Sequence, residues 1–312
     1  MKKLLSIDGG GIRGIIPATI LAEIEQRTNR PAASLFDLMA GTSTGGIISL
    51  VLNRDGGGGF PKYRAQDLVD MYINRGPEIF SRSLWQGVSS VAGLTEEKYS
   101  QDPLEEILKE YLDDVPLGQA LSKVLVSSYE IETRSPFFFK SWRDESKPVL
   151  MRDAARATSA APTYFEPAHF PVAGQELALI DGGVFVNNPA MSAYSEARRL
   201  FPDETAFLIV SLGTGQLTRA IPFEEAKDWG KVQWALPILN VVFDGVSAAV
   251  DYQLRQILGE QFFRFQTTLD TANDDMDDAS PANLAALKCE ACRILDTQGA
   301  DIDRLCPLLT QP

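Results

Sequence analysis

Leu35-Phe36-Asp37-Leu38-Met39-Ala40, Gly41-Thr42-Ser43-Thr44-Gly45 and Gly46-Ile47-Ile48-Ser49-Leu50-Val51-Leu52 follow one another without a break. The first part is an apolar run of strand length. The last is an apolar run that continues into a helix. A serine flanked by two glycines joins them. An apolar run of about four to eight residues that ends at glycine reads as a buried strand, and a longer one as a helix. Strand, tight turn and helix in this order form the elementary unit of an α/β protein with a mostly parallel sheet.

The same alternation extends in both directions. Lys3 to Ile7 predicts a strand, the glycine loop Gly9 to Gly14 follows, and a helix is expected from Pro17 to about Thr28. Further helices are expected near Ala65–Arg75, Pro103–Tyr111, Met151–Ser159, Pro189–Leu200, through most of Val232–Leu258 and over Asn283–Gln298. Strands are expected at Lys123–Ile131, Phe137–Ser141, Leu177–Ile180, Ala206–Leu212 and Phe262–Gln266. Gly56-Gly57-Gly58-Gly59 reads as a flexible surface loop. No repeat and no linker divides the chain, so residues 1–312 are read as one domain.

Composition limits the partners. The chain has 312 residues, 45% hydrophobic and 23% charged, with a net charge of -13. That balance opposes nucleic acid, which needs a basic face, and gives no pull toward anionic membranes. Contact with lipid would rest on exposed apolar side chains. Asp8 cuts the N-terminal apolar run well short of a signal peptide, and no run of about 18 apolar residues suggests a spanning helix. A cytoplasmic location is the expectation. Cys289, Cys292 and Cys306 are sparse and odd in number, as suits a reducing compartment. Cys289-x-x-Cys292 lacks a second pair for zinc, so packing is the preferred role and no metal is expected.

Three segments carry chemistry. In Gly41-x-Ser43-x-Gly45 the turn lifts the serine hydroxyl above the sheet and the glycines make room for a strained backbone. Ser43 also heads a helix, where free N–H groups favour negative charge. A serine nucleophile needs a base. His169 is the one histidine of the chain, set among prolines in Pro167-Ala168-His169-Phe170-Pro171, and a loop role suits it better than a triad. The other base is Asp181, which follows Leu177–Ile180 and opens Asp181-Gly182-Gly183. Strand carboxyl ends gather on one edge of a parallel sheet, so Ser43 and Asp181 would share that edge. An aspartate opening a turn before two glycines is also ordinary, and the choice of base stays open on these grounds.

Asp8-Gly9-Gly10-Gly11-Ile12-Arg13-Gly14 matches the G-x-G-x-x-G fingerprint of dinucleotide sites. Asp8 would face a pyrophosphate, however, and the second strand does not end in the acid that a ribose requires. As an oxyanion hole the loop makes better sense, with N–H groups of Gly9, Gly10 and Gly11 as donors and Arg13 orienting the loop. Removing one such donor costs about 100- to 1000-fold in rate.

Taken together, Ser6 to Gly14, Gly41 to Gly46, Ala155 to Phe165 and Asp181 to Gly183 resemble the patatin-like phospholipase family, near its plant storage members. Met276-Asp277-Asp278-Ala279-Ser280 resembles the C-terminal part of plant-type members. The likeness spans nearly the whole chain. It implies a three-layer α/β/α sandwich and a Ser43–Asp181 dyad without histidine. It also implies an oxyanion hole at Gly9–Gly11, an acyl-enzyme on Ser43, and no metal or cofactor. The implied activity is hydrolysis of fatty acyl esters of phospholipids or galactolipids, with acyl transfer as a second outcome. The implied partner is a lipid substrate met through transient contact with a membrane surface. A nucleotide-binding module built on Gly9–Gly14, or a storage protein with vestigial esterase activity, are the competing readings. Ile47, Ile48, Val51, Phe137 to Phe139 and Trp234 to Phe243 are candidates for the acyl groove. Leu84, Trp85 and Val88 are candidates for a lid.

Overall fold

The computed structural model describes residues 1–80, 99–217, 220–234 and 237–311. The lid candidates Leu84, Trp85 and Val88 lie outside these residues. The strands are β1 (Lys2–Ile7), β2 (Leu38–Thr42), β3 (Asp55–Gly57), β4 (Phe60–Pro61), β5 (Lys123–Glu130), β6 (Ser135–Lys140), β7 (Ala168–Val172), β8 (Gln175–Asp181), β9 (Phe207–Leu212) and β10 (Phe262–Phe265). All but β3 and β4 belong to one eight-stranded sheet, in the order β10-β9-β1-β2-β5-β8-β7 with β6 also on β5. From β10 to β5 every neighbouring pair is parallel. Beyond β5 the pairing turns antiparallel.

Alternation along each strand builds two cores. Leu5, Ile7, Met39, Val124, Val126, Leu208 and Val210 face one way, onto helices Ile15–Thr28, Thr44–Leu52, Ala65–Ile79, Asp102–Leu112, Met151–Thr158, Pro281–Thr297 and Gly299–Thr310. Leu4, Leu38, Ala40, Leu125, Phe207 and Ile209 face the other way, onto helices Ala190–Leu200 and Pro237–Leu258. Strands buried on both faces must be apolar at nearly every position, and β2 and β9 are buried throughout. The result is the expected three-layer α/β/α sandwich.

Some boundaries differ from the sequence reading, each for a local reason. The first helix begins at Ile15, because Gly11–Gly14 winds as a 3-10 turn that feeds it; Pro17 falls within the first turn, where its missing N–H costs nothing. β2 starts at Leu38, since Ala32–Leu35 forms a short helix of its own after Pro31. Gly56 and Gly57 end β3 and Gly58-Gly59 turn into β4, so the glycine run belongs to an exposed hairpin rather than an unstructured loop, with Gly57, Gly58 and Gly59 at φ 117, 68 and 81. His169 lies on the edge strand β7, where Pro171 is tolerated because an edge has no second ladder to serve. The final helix, Gly299–Thr310, was not expected and packs with Pro281–Thr297 on the first helix. Packing suits Cys306 alone. Cys289 and Cys292 are exposed, because Leu284, Leu287, Ala291 and Ile294 take the buried face of their helix.

The antiparallel turn of the sheet positions the site. β6 covers one side of β5 from Leu125 to Glu130. Therefore β2 and β8 share the other side, β2 ending at Thr42 opposite Ser127 and β8 ending at Asp181 opposite Ser128. The two strands run toward each other and stop at consecutive residues of β5. Ser43 and Asp181 do meet, but Asp181 does not arrive on the end of a parallel strand; it is brought down from above the edge by an antiparallel one.

Candidate active site

Ser43 occupies the turn between β2 and helix Thr44–Leu52 with φ 54 and ψ -124. A non-glycine residue held at positive φ costs on the order of 1–3 kcal/mol, and surrounding structure must enforce it. The enforcement is visible. Ser43 N–H donates to Thr158 Oγ1 at 2.8 Å, and the buried Thr158 hydroxyl donates to Ser127 O at 2.6 Å. Thr42 Oγ1 bonds Ser127 Oγ at 2.7 Å and donates to Val186 O at 2.7 Å. The glycines are required by contact: a Cβ on Gly41 would lie 2.1 Å from Gly45 O, and one on Gly45 would lie 2.2 Å from Ile7 O.

Asp181 is 2% exposed and lines the same pocket as Ser43, whose hydroxyl is near enough to draw its pKa down. Its Oδ1 accepts from Gly183 N–H at 2.7 Å. Burial raises its pKa to about 7, against the opposing pull of the Ser43 hydroxyl and the Gly183 N–H. A carboxylate so placed exchanges its proton near neutrality. His169 projects from the exposed edge strand, its Nε2 3.9 Å from Glu176, and is absent from the pocket that holds Ser43 and Asp181.

The glycine loop follows β1 and crosses above Ser43. Gly9 N–H donates to Asn187 O at 3.1 Å, so this amide is already used. Neither Gly10 nor Gly11 N–H has a hydrogen-bond partner among the described residues, and both glycines line the pocket beside Ser43. The loop is clamped from three directions. Thr214 Oγ1 donates to Gly9 O at 2.7 Å. Ile12 N–H donates to Met276 O at 2.9 Å. Arg13 is buried rather than solvated, and its Nε donates to Gly10 O at 3.3 Å. Gly11 has φ 57, and a Cβ there would lie 2.2 Å from Met276 O. Beneath the loop, Asp8 forms a bidentate pair with Arg264, at 3.1 and 2.6 Å. Asp8 thus faces a buried guanidinium, not a pocket for pyrophosphate.

The pocket is apolar. Ile12, Ile47, Met71, Ile79, Phe80, Phe165, Phe243 and Met276 line it around Ser43 and Asp181. Of the groove candidates among the described residues, Ile47 and Phe243 reach it; residues 235 and 236 lie outside them. Ile48 and Val51 are fully buried in the core, and Phe137 to Phe139 pack on the two faces of the sheet instead. Helix periodicity separates these cases: Ile47 alone of its helix's apolar residues points past the turn toward the site. Asn187, Thr158 and Thr214 were not singled out as site residues. Short-range sequence offers no signal for them, since each acts on a segment distant in the chain.

The fold is an α/β sandwich with a serine at a strand–helix elbow, beside a buried carboxylate and an apolar pocket. Residues 5–194 match the model of the family described as patatin-like phospholipase. Patatin-04/09 of Solanum tuberosum is 34% identical across 92% of this chain and 82% of its own length. Patatin-like protein 4 of Arabidopsis thaliana is 33% identical across 94% of this chain and 83% of its own. Among solved structures, VipD from Legionella pneumophila is 13% identical with a TM-score of 0.41, covering 95% of this chain and 67% of that one. The chain belongs to the patatin-like phospholipase family, and is a lipid acyl hydrolase.

Proposed function

We propose that this hydrolase cleaves fatty acyl esters of phospholipids or galactolipids with Ser43 as nucleophile and Asp181 as its base. The observation that carries the reading is the convergence of Ser43 and buried Asp181 in one apolar pocket, brought there by strands that stop at consecutive residues of β5. Ionised Asp181 takes the Ser43 proton as Oγ attacks the ester carbonyl. The proton then passes to the leaving alcohol, and the acyl group stays on Ser43. Asp181 next draws a proton from water as it attacks the acyl-enzyme, then returns that proton to Ser43 Oγ as the acid leaves. The tetrahedral oxyanion is held by Gly10 and Gly11 N–H. Gly9 contributes shape: a Cβ there would lie 2.4 Å from Asn187 Oδ1 and 3.3 Å from Ser43 Cβ. Arg13 steadies the loop through Gly10 O. Residues 1–312 act as one folding unit in this reading, since the C-terminal helices close over the first helix and Met276 closes over the loop.

The test combines two measurements on the wild type: fatty acid release from mixed phospholipid and galactolipid micelles in a chelator, and mass-spectrometric mapping of a fluorophosphonate adduct. Release together with an adduct on Ser43 is expected. An adduct elsewhere, or release that persists with Ser43 fully labelled, would remove the dyad. His169→Ala is expected to keep kcat/KM within about threefold on the same micelles, because its side chain is exposed on β7. A loss comparable to that of Ser43→Ala would restore a triad.

A further inference from the structure

The Pro237–Leu258 helix has two faces of opposite use. Its inner face is tied to the site: Phe243 lines the pocket, Ser247 Oγ accepts from Asn187 Nδ2 at 3.3 Å, and Asp251 Oδ1 accepts from Asn188 Nδ2 at 3.0 Å. Asp251 also accepts from Arg264 at 3.0 Å, joining the helix to the ion pair beneath the glycine loop. The outer face carries Ile238, Val241, Gly245, Ala248, Ala249 and Tyr252, all exposed. Their three- and four-residue spacing puts them on one stripe about four turns long. None of these six is charged, although exposed Asp244 borders the stripe between Val241 and Ala248 and exposed Arg255 follows Tyr252, in a chain whose net charge is -13 and whose residues are 23% charged. Ile238 is 43% exposed, Val241 45% and Tyr252 69%. Earlier in the chain, on the short helix Phe223–Ala226, Phe223 is 75% exposed.

We propose that this outer stripe docks on an uncharged or zwitterionic lipid surface and thereby sets the pocket against the membrane that holds its substrate. The proposal rests on the acyl-ester reading of the pocket. Three observations favour a bilayer over other occupants. First, charge: a mostly uncharged stripe bordered by Asp244, on an acidic chain, suits a surface without net charge and is repelled by an anionic one. Second, continuity: the helix that bears the stripe is the pocket wall, so lipid under the stripe is adjacent to the site. Third, size: a single narrow stripe with three small residues falls far short of the roughly 20–30 residues per side of a stable protein interface, whereas a helix lying in a headgroup layer needs only one apolar face. Among the described residues no helix is long and apolar enough to cross a membrane, which fits a helix that lies on the surface.

The test is flotation with phosphatidylcholine vesicles, run on Ser43→Ala so that binding is read without turnover. Adding Ile238→Glu and Val241→Glu is expected to weaken partition at least tenfold, since inserting either apolar side chain is worth about 1.5–3 kcal/mol and tenfold is about 1.4 kcal/mol. Tyr252→Glu alone should shift binding less, in the same direction. In the Ser43 background, the Glu pair should cut hydrolysis of the vesicles by a similar factor and leave a soluble short-chain ester within twofold. Undiminished vesicle binding by the Glu pair, or no binding before substitution, overturns the proposal. So does parallel loss on the soluble ester, which would make the helix a support of the site only. Light scattering that shows a dimer broken by the Glu pair would reassign the stripe to a second copy. If the wild type fails on the soluble ester as well, the acyl-hydrolysis reading falls, while vesicle binding still decides the docking face.

Discussion

Asp181→Asn is expected to lower kcat/KM by about 10⁴-fold while making the folded protein more stable at pH 8 than the wild type. The two effects have one origin. Asp181 is buried at 2% exposure, and burial lifts its pKa from 3.8 to about 7. That places its ionised form, the base, in balance with the neutral form near the working pH, where general-base catalysis is most effective. The rate should therefore rise with pH through about 7. The same shift costs stability. Between pH 3.8 and about 7 the folded state holds a proton that the unfolded state has released. Stability is thus present below the unfolded pKa and lost as pH rises through the folded one. The full shift is worth on the order of 4 kcal/mol, at about 1.36 kcal/mol per unit. Asparagine carries no charge to bury, so the variant escapes this loss. Urea midpoints of both proteins at pH 5 and pH 8 provide the check: the advantage of the variant must widen with pH. An advantage that stays flat would mean that Asp181 does not hold a proton in the folded state. Ser43→Ala should lose activity at least as heavily, and combining the two should add little, because nucleophile and base act as a unit.

How much of this was legible beforehand follows the range of the interactions. The elbow could be read because all its requirements lie within one continuous stretch, Leu35 to Leu52: an apolar run, two glycines that must have no Cβ, and a helix. The three-layer sandwich could be read because burial on both faces leaves unbroken apolar strands such as Phe207–Leu212. Asp181 was identified, yet the route to it was not, because nothing in Gln175–Asp181 says that it pairs antiparallel with the end of β5. The glycine loop was assigned as donors in bulk. That Gly9 N–H belongs to Asn187 O depends on a residue 178 positions away, beyond the reach of any local pattern. Arg264 had no signal at all: it lies in Phe262–Phe265, a strand whose other residues are aromatic, and only the β10–β9–β1 order brings it to Asp8.

Arg264→Met is expected to destabilise the protein by about 3–5 kcal/mol, the range for a buried pair stripped of one partner. Arg264 and Asp8 side chains are each 2% exposed. Arg264 donates to both Asp8 oxygens, to Asp251 at 3.0 Å and to Ser211 Oγ at 2.9 Å. Even with this partner, burial holds the Asp8 pKa at about 6, above the usual 3.8 of an aspartate. Without Arg264 the opposing attraction is gone, and the pKa must climb further. The sign of the pH dependence follows. At pH 8 the variant must either bury an unpaired carboxylate or hold a proton against the solution, whereas at pH 5 a neutral Asp8 costs little. The deficit of Arg264→Met should therefore be largest at pH 8 and shrink toward pH 5. Adding Asp8→Asn should recover part of the stability, because it removes the stranded charge. Activity should not return with it, since Asp8 immediately precedes Gly9 and its pair with Arg264 anchors the loop that carries Gly10 and Gly11. Lysine at 264 should rescue poorly, as a point charge cannot match the two-pronged contact. Paired urea titrations of wild type, Arg264→Met and the double variant at both pH values decide the matter. A deficit independent of pH would assign Arg264 a packing role and leave the Asp8 charge without consequence for the loop.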